Sequence, residues 1–260
     1  MQMKTMEERL GVTLFDRTVR PPRLTPMGRK VVDHANTVIE AEIRLMNASS
    51  SNAELVGTFR LGFVATASVR LLPEVLNRAK CKAPLARFEI VTALSELLEV
   101  QIMSGDLDAA LVTATEAPPG GVEYYPVRQE ALIYAVPPGY SNEPLKEIAK
   151  QIPFLQFNPG SGIGKLIERE TSSLREKGTG STIILDSVEA IMGCVNAGIG
   201  FTLLSEPDIL RYADSAVETF EPKTPLSRAL VLAVKQNSPI VDRVQALLDL
   251  FDENKQTIAH

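Results

Sequence analysis

Glu7-Glu8-Arg9-Leu10-Gly11-Val12-Thr13-Leu14-Phe15-Asp16-Arg17, followed shortly by Leu24-Thr25-Pro26-Met27-Gly28, reads as the end of one helix, a bent hairpin and the start of another helix. Met3, Met6 and Leu10 form an apolar stripe over residues 2–10, and Gly11 supplies the positive-φ position that commonly stops a helix. Val12 to Phe15 set a hydrophobic plug beside that helix. The stretch from Asp16 to Leu24 carries Arg17, Arg20 and Arg23 together with Pro21 and Pro22, so it predicts a basic hairpin in which the prolines forbid a long central strand. Thr25-Pro26 opens the next helix, because a threonine hydroxyl caps free N–H groups and proline at the first helical position loses no needed donor.

Along that next helix Val31, Val38 and Leu45 are seven apart, as are Val32, Ile39 and Met46, with Ala35 between the rows. Seven-residue spacing builds a seam along which two helices lie side by side. An amphipathic helix packed on its own domain would carry a similar stripe, so periodicity alone leaves both readings open. The polar run Asn47-Ala48-Ser49-Ser50-Ser51-Asn52 then predicts a hinge.

Residues 7–17 with 24–28 resemble the end of the winged helix-turn-helix of LysR-type bacterial transcription regulators. The resemblance implies that Arg17, Arg20 and Arg23 contact DNA phosphates, a role that positions a protein without reading sequence. It also implies that the long helix pairs two subunits through Val31, Val32, Ala35, Val38, Ile39, Leu45 and Met46. In the family two helices and most of a recognition helix precede this point, so Gln2 and Lys4 fall on that helix's last turns. Weak, salt-sensitive DNA binding, impaired by truncation, is the corresponding expectation. The alternative is a ligand sensor, or a partner that poisons full-length relatives, without sequence-specific DNA binding.

Charge agrees with a split chain. Residues 1–30 hold seven Lys/Arg against three acids, which is +4 and leaves −9 of the net −5 for the remainder. A basic head suits a polyanion, although a merely solvated basic segment has the same composition. Cys81 and Cys194 stand far apart and outside any CxxC pattern, which argues against a disulfide framework or a zinc site and for a reducing, cytoplasmic setting. The sequence carries neither an export-signal core nor a run as long as a membrane span.

From Thr58 onward short β runs alternate with helical stretches. Strands are predicted over 59–64, 88–92 and 108–112 with helices over 69–80 and 95–103, which implies a parallel sheet with right-handed crossovers. Crossing strands are predicted near 131–136 and 230–234, and between them strands 154–157 and 183–185, helices to about residue 175 and over 188–197, and a turn and strand over 198–204. A final amphipathic helix is predicted from Pro239 to Phe251. Gly105 to Val112 matches the family's turn into its third strand, with Asp108 structural. The expected architecture is α/β: a partial winged helix-turn-helix (1–24), a linker and dimerisation helix with hinge (25–57), and a two-lobed effector domain resembling type II periplasmic binding proteins. Lobe I spans 58–131 and 235–260, and lobe II spans 132–234.

In open α/β sheets ligands sit beyond the carboxyl ends of strands, where helix N-termini present free N–H groups. Ala65-Thr66-Ala67-Ser68, Leu94-Ser95 and Gly160-Ser161-Gly162 are such places, and small polar side chains there suit an oxygen-rich small molecule such as a carboxylate or aromatic acid. Each residue taken singly reads equally as a helix cap. With the family's pocket in the same places, the effector-binding candidates are Thr66, Ser68, Ser95 and Ser161, with Phe201 and Thr202 lining the second lobe. Leu94 stands where the family commonly has threonine, and Ser205 where it has proline. Catalysis is disfavoured: His34 and His260 are the only histidines, neither cysteine has a base partner in sequence, and Gly160 to Lys165 lacks the Lys-Ser/Thr pair of a phosphate loop. A homodimer or tetramer is expected, with no cofactor and no metal.

Overall fold

The computed structural model describes residues 2–32, 34, 35, 38, 55–140, 143–175 and 180–252. The chain divides into two compact units, Met1–Glu54 and Leu55–His260. In the first, α1 (Gln2–Leu10) ends at Gly11, whose φ of +67° is the left-handed stop. β1 (Phe15–Asp16) and β2 (Arg23–Leu24) pair antiparallel, and Thr25 caps α2 (residues 26–32) by accepting the Gly28 N–H at 2.9 Å. The Thr25 hydroxyl also donates to the Thr13 carbonyl at 2.7 Å, which ties the cap to the plug. Gly28 is needed here because a Cβ would stand 2.2 Å from the Leu14 carbonyl oxygen.

A role that pattern reading missed belongs to Glu7. Its carboxylate accepts the N–H groups of Leu14 at 2.8 Å and Phe15 at 3.1 Å and pairs with Arg17 at 2.8 Å. The Leu14 N–H first, then that of Phe15 and the Arg17 charge, hold this carboxyl below the ordinary glutamate range against a smaller opposing effect of desolvation.

In the second unit a seven-stranded sheet runs β10-β6-β11-β5-β3-β4, with β9 also paired to β6. These strands are β3 (Gly57–Val64), β4 (Ala86–Ala93), β5 (Ala109–Thr113), β6 (Val122–Val136), β9 (Thr202–Ser205), β10 (Glu218–Phe220) and β11 (Leu226–Lys235). Between them lie α3 (Ala65–Lys82) and α4 (Ser95–Ser104), then α5 (Leu145–Gln151), α6 (Gly162–Arg175), α7 (Val188–Asn196) and α8 (Glu206–Tyr212). β7 (Phe154–Phe157) and β8 (Thr182–Leu185) form a separate parallel pair.

The expected parallel sheet is realised only in β4-β3-β5; β11 runs antiparallel to both β5 and β6. The reason is topological, since the chain leaves the first lobe along β6 and returns beside it along β11. β6 is also much longer than the apolar stretch predicted, because Glu123, Arg128, Gln129 and Glu130 break the hydrophobic pattern in its first part. α5, α8 and β10 are too short for periodicity to reveal, and the predicted closing helix is instead a 3-10 turn (Pro239–Arg243) followed by α9 (Val244–Leu248).

Two apolar cores result. One gathers β3, α3, α4, β5, the second half of β11 and α9; the other gathers the end of β6 with β7, α6, α7, β9 and α8. Asp108 links the first lobe's strands, accepting the Arg60 N–H at 2.6 Å and the Arg60 guanidinium at 2.9 Å.

Candidate functional site

Helix α3 starts directly at the end of β3, so Thr66 and Ser68 lie in its first turn rather than in a loop before it. Ser68 is buried and donates to the Ala65 carbonyl at 2.9 Å. Ser95 opens α4, is buried, and accepts the Thr113 N–H at 3.2 Å. Ser161 caps α6, accepting from the Gly164 N–H at 2.9 Å and donating to the Asn158 carbonyl at 2.8 Å. The openings of α4 and α6 come together at Gly162, where a Cβ would lie 2.9 Å from Thr113 Cβ and 3.4 Å from Ser95 Oγ. Only glycine lets the two lobes approach this closely.

Beside Thr66 lies a group of charges that pattern reading did not find. Arg228 on β11 is fully buried and reaches Glu130 on β6 with Nε at 2.8 Å, Thr66 Oγ1 with Nη1 at 2.7 Å, and Asp208 on α8 with Nη2 at 3.3 Å. Arg70, one turn beyond Thr66 on α3, reaches Glu130 at 2.8 Å and Asp208 at 2.7 Å. Each carboxylate therefore bridges both arginines, one oxygen apiece, and Ser205 adds a hydroxyl to Asp208. Burial alone would raise the Glu130 carboxyl, but the charges of Arg228 and Arg70 outweigh it and hold it below the ordinary range. Its sequence signals are an arginine on an inward-facing position of an apolar strand, and the Ser205-x-x-Asp208 spacing of a capping box.

Where α6 faces α4 the charges that join the lobes are exposed. Lys165 on α6 pairs with Glu96 on α4, and Arg169 with Glu116 at 3.5 Å. One turn along α4 from Ser95, Glu99 is buried and accepts the Tyr124 hydroxyl. Burial raises the Glu99 carboxyl, and burial with the Glu99 bond pushes the Tyr124 phenol up to about 12.

A family model described as the LysR substrate binding domain matches residues 52–256. The chain belongs to the LysR family. A probable hydrogen peroxide-inducible genes activator of Mycobacterium xenopi is 35% identical over 52% of this chain and 71% of its own length. The uncharacterized HTH-type transcriptional regulator YusT of Bacillus subtilis is 26% identical over 96% of this chain and 84% of its own. A mutant of OxyR from Corynebacterium glutamicum superposes with a TM-score of 0.72 at 21% identity, covering 96% of this chain and 80% of that one, which extends the likeness of fold to nearly the whole chain. These relatives are named as a transcriptional regulator and gene activators.

Of the residues expected to line the site of this LysR regulator, the structure brings Ser95 and Ser161 together around Gly162 and sets Thr66 against the buried charges. Phe201 and Thr202 lie elsewhere: both are fully buried in the second core, Phe201 packed on Phe154 with ring centroids 5.2 Å apart and Thr202 donating to the Leu155 carbonyl at 2.7 Å. In the head, Gln2 and Lys4 fall on α1, Arg20 and Arg23 are exposed, and Arg17 is exposed while held by Glu7. Val32 and Val38 are exposed on the helix after Thr25, Val31 and Ala35 are half-buried, and Ile39, Leu45 and Met46 lie outside the described residues. Cys81 is exposed near the end of α3, whereas Cys194 on α7 packs against the second core. Among the described residues no helix is long and apolar enough to cross a membrane.

Proposed function

We propose that this LysR regulator is a cytoplasmic homodimer whose effector is a small oxygen-rich molecule, such as a carboxylate or aromatic acid, held between the lobes by the openings of α3, α4 and α6. The observation that carries the reading is the approach of Ser95, Thr113 and Ser161-Gly162, where the openings of two helices from different lobes meet, and helix N-termini favour oxygen-rich or anionic groups. A ligand seated there touches both lobes at once, and so has different affinities for open and closed arrangements. Helix α2 and its continuation pair two copies through the Val31–Met46 seam and carry the lobe geometry to the DNA-facing heads. Leu94, exposed beside Ser95, gives the crevice an apolar lip that suits an aromatic ring.

A thermal-shift screen of carboxylates and aromatic acids tests the site. A hit should lose affinity in Thr66→Val and Ser95→Ala; unchanged affinity in both removes these residues from it. On the DNA side Arg17, Arg20 and Arg23 serve as phosphate contacts, so each exchange to alanine should lower the slope of log affinity against log salt by about 0.9. A slope unaltered in all three variants overturns that assignment.

Several relatives are named for hydrogen peroxide induction. In this chain the two thiols belong to different lobes, whereas a disulfide needs Cα atoms within about 7 Å. We therefore assign the response to ligand contact rather than to a Cys81–Cys194 bond. A Cys81→Ser/Cys194→Ser chain should retain it in full.

A further inference from the structure

We infer that Arg228 is a positioning residue that couples the Thr66 hydroxyl in the first lobe to α8 in the second, so that whatever engages Thr66 is felt at α8. The inference rests on the effector reading above only for what engages Thr66; the coupling itself is a property of the folded chain.

The four charges form a closed loop. Glu130 gives one oxygen to Arg70 and the other to Arg228, and Asp208 does the same. Arg228 and Glu130 are direct partners across β11 and β6, so neither backbone can slip without moving both charges. All four side chains are at least nine-tenths buried, and water cannot replace a lost partner without the group moving. The guanidinium is planar, with its donors in a rigid fork. A change in what Nη1 meets at Thr66 therefore turns the plane and shifts Nη2, which lies 3.3 Å from both Ser205 Oγ and Asp208 Oδ2 at the start of α8. Thr66 is half-buried, whereas Glu130, Ser205, Asp208 and Arg228 are buried, so a ligand can reach its hydroxyl side.

Amide hydrogen exchange on the full chain without ligand tests this directly. Thr66→Val keeps the shape of the side chain but leaves Nη1 with no acceptor, and should speed exchange of the Ile209 to Tyr212 amides at least ten-fold relative to the change in α4 and α7. Thr66→Ser, which restores the hydroxyl, should return α8 to within about two-fold of wild type. In an Asp208→Asn chain, or in Ser205→Ala if that variant fails to fold, the added effect of Thr66→Val on α8 should shrink several-fold, because the path is already broken. Equal acceleration of α4, α7 and α8, or no rescue by serine, or additive effects in the double variants, each overturns the coupling. The failures are separable. If α8 ignores Thr66 while a screened ligand still needs Thr66, the site reading stands and the coupling falls; if α8 follows Thr66 while no ligand needs it, the coupling stands and the site reading falls.

Discussion

Arg70, Glu130, Arg228 and Asp208 lie buried where β6 and β11 pass between the lobes, whereas Lys165–Glu96 and Arg169–Glu116 stand in solvent where α6 faces α4 and the loop before β6. Both sets join the first lobe to the second by opposite charge. The difference is access to water. At the exposed rim each partner is rehydrated as soon as the pair parts, so opening costs little. At the buried loop parting leaves a bare charge in an apolar surround, so this end resists separation. The lobes are therefore held firmly at one end and loosely at the other.

The buried end should show the largest effect. Arg228→Met leaves two buried carboxylates sharing Arg70 alone, and urea unfolding of the second unit should register a loss of about 3–5 kcal/mol. A loss near that of a surface pair would erase the contrast between the two ends. Gly162→Ala acts at the loosely held end by bulk, since its Cβ would press on Thr113 Cβ at 2.9 Å. It should cost about 1–3 kcal/mol, and small-angle scattering should show a larger radius of gyration than wild type. An unchanged radius would mean that the crevice is not held closed at this point.

Acid should act on the buried end in a defined direction. Because Glu130 is held below its ordinary range, its contribution is present above the unfolded carboxylate value and is lost as pH falls through the lower folded value. Arg70→Met weakens that hold, so the acid unfolding midpoint should move to higher pH; an unmoved midpoint assigns acid sensitivity to other carboxylates. The smallest effect belongs to the rim. Glu96→Gln should alter stability by about 0–1 kcal/mol, a change that 1 M salt removes from the wild type as well. A larger, salt-independent loss would show that Lys165 and Glu96 are more than a latch.

The features legible in the sequence were those set by neighbours in the chain. Gly11 stops α1 through its own φ, and Thr25 caps α2 through an N–H three residues away. Alternation and helical spacing likewise located β3, β4, β5, α4 and β7 to within a few residues. Ser95 and Ser161 were visible as helix openings because small hydroxyl residues after apolar runs signal caps. Their meeting across Gly162 was not, because it joins elements from separate lobes. Phe201 and Thr202 show the opposite limit: the sequence marks them as close to a turn, while the packing of β9 against β7 buries both.

The sequence alone determined the local stops and caps, the basic head, and enough of a motif over residues 7–28 to indicate the family. Only the tertiary structure decided that the second unit's sheet is mixed, that Glu7 pins the plug, and that Arg228 and Arg70 share two carboxylates. Propensity and capping act over three or four residues, whereas Arg228 finds its partners 20, 98 and 162 positions away. Such separations carry no periodic signal, and only burial in a shared low-dielectric space makes those pairings obligatory.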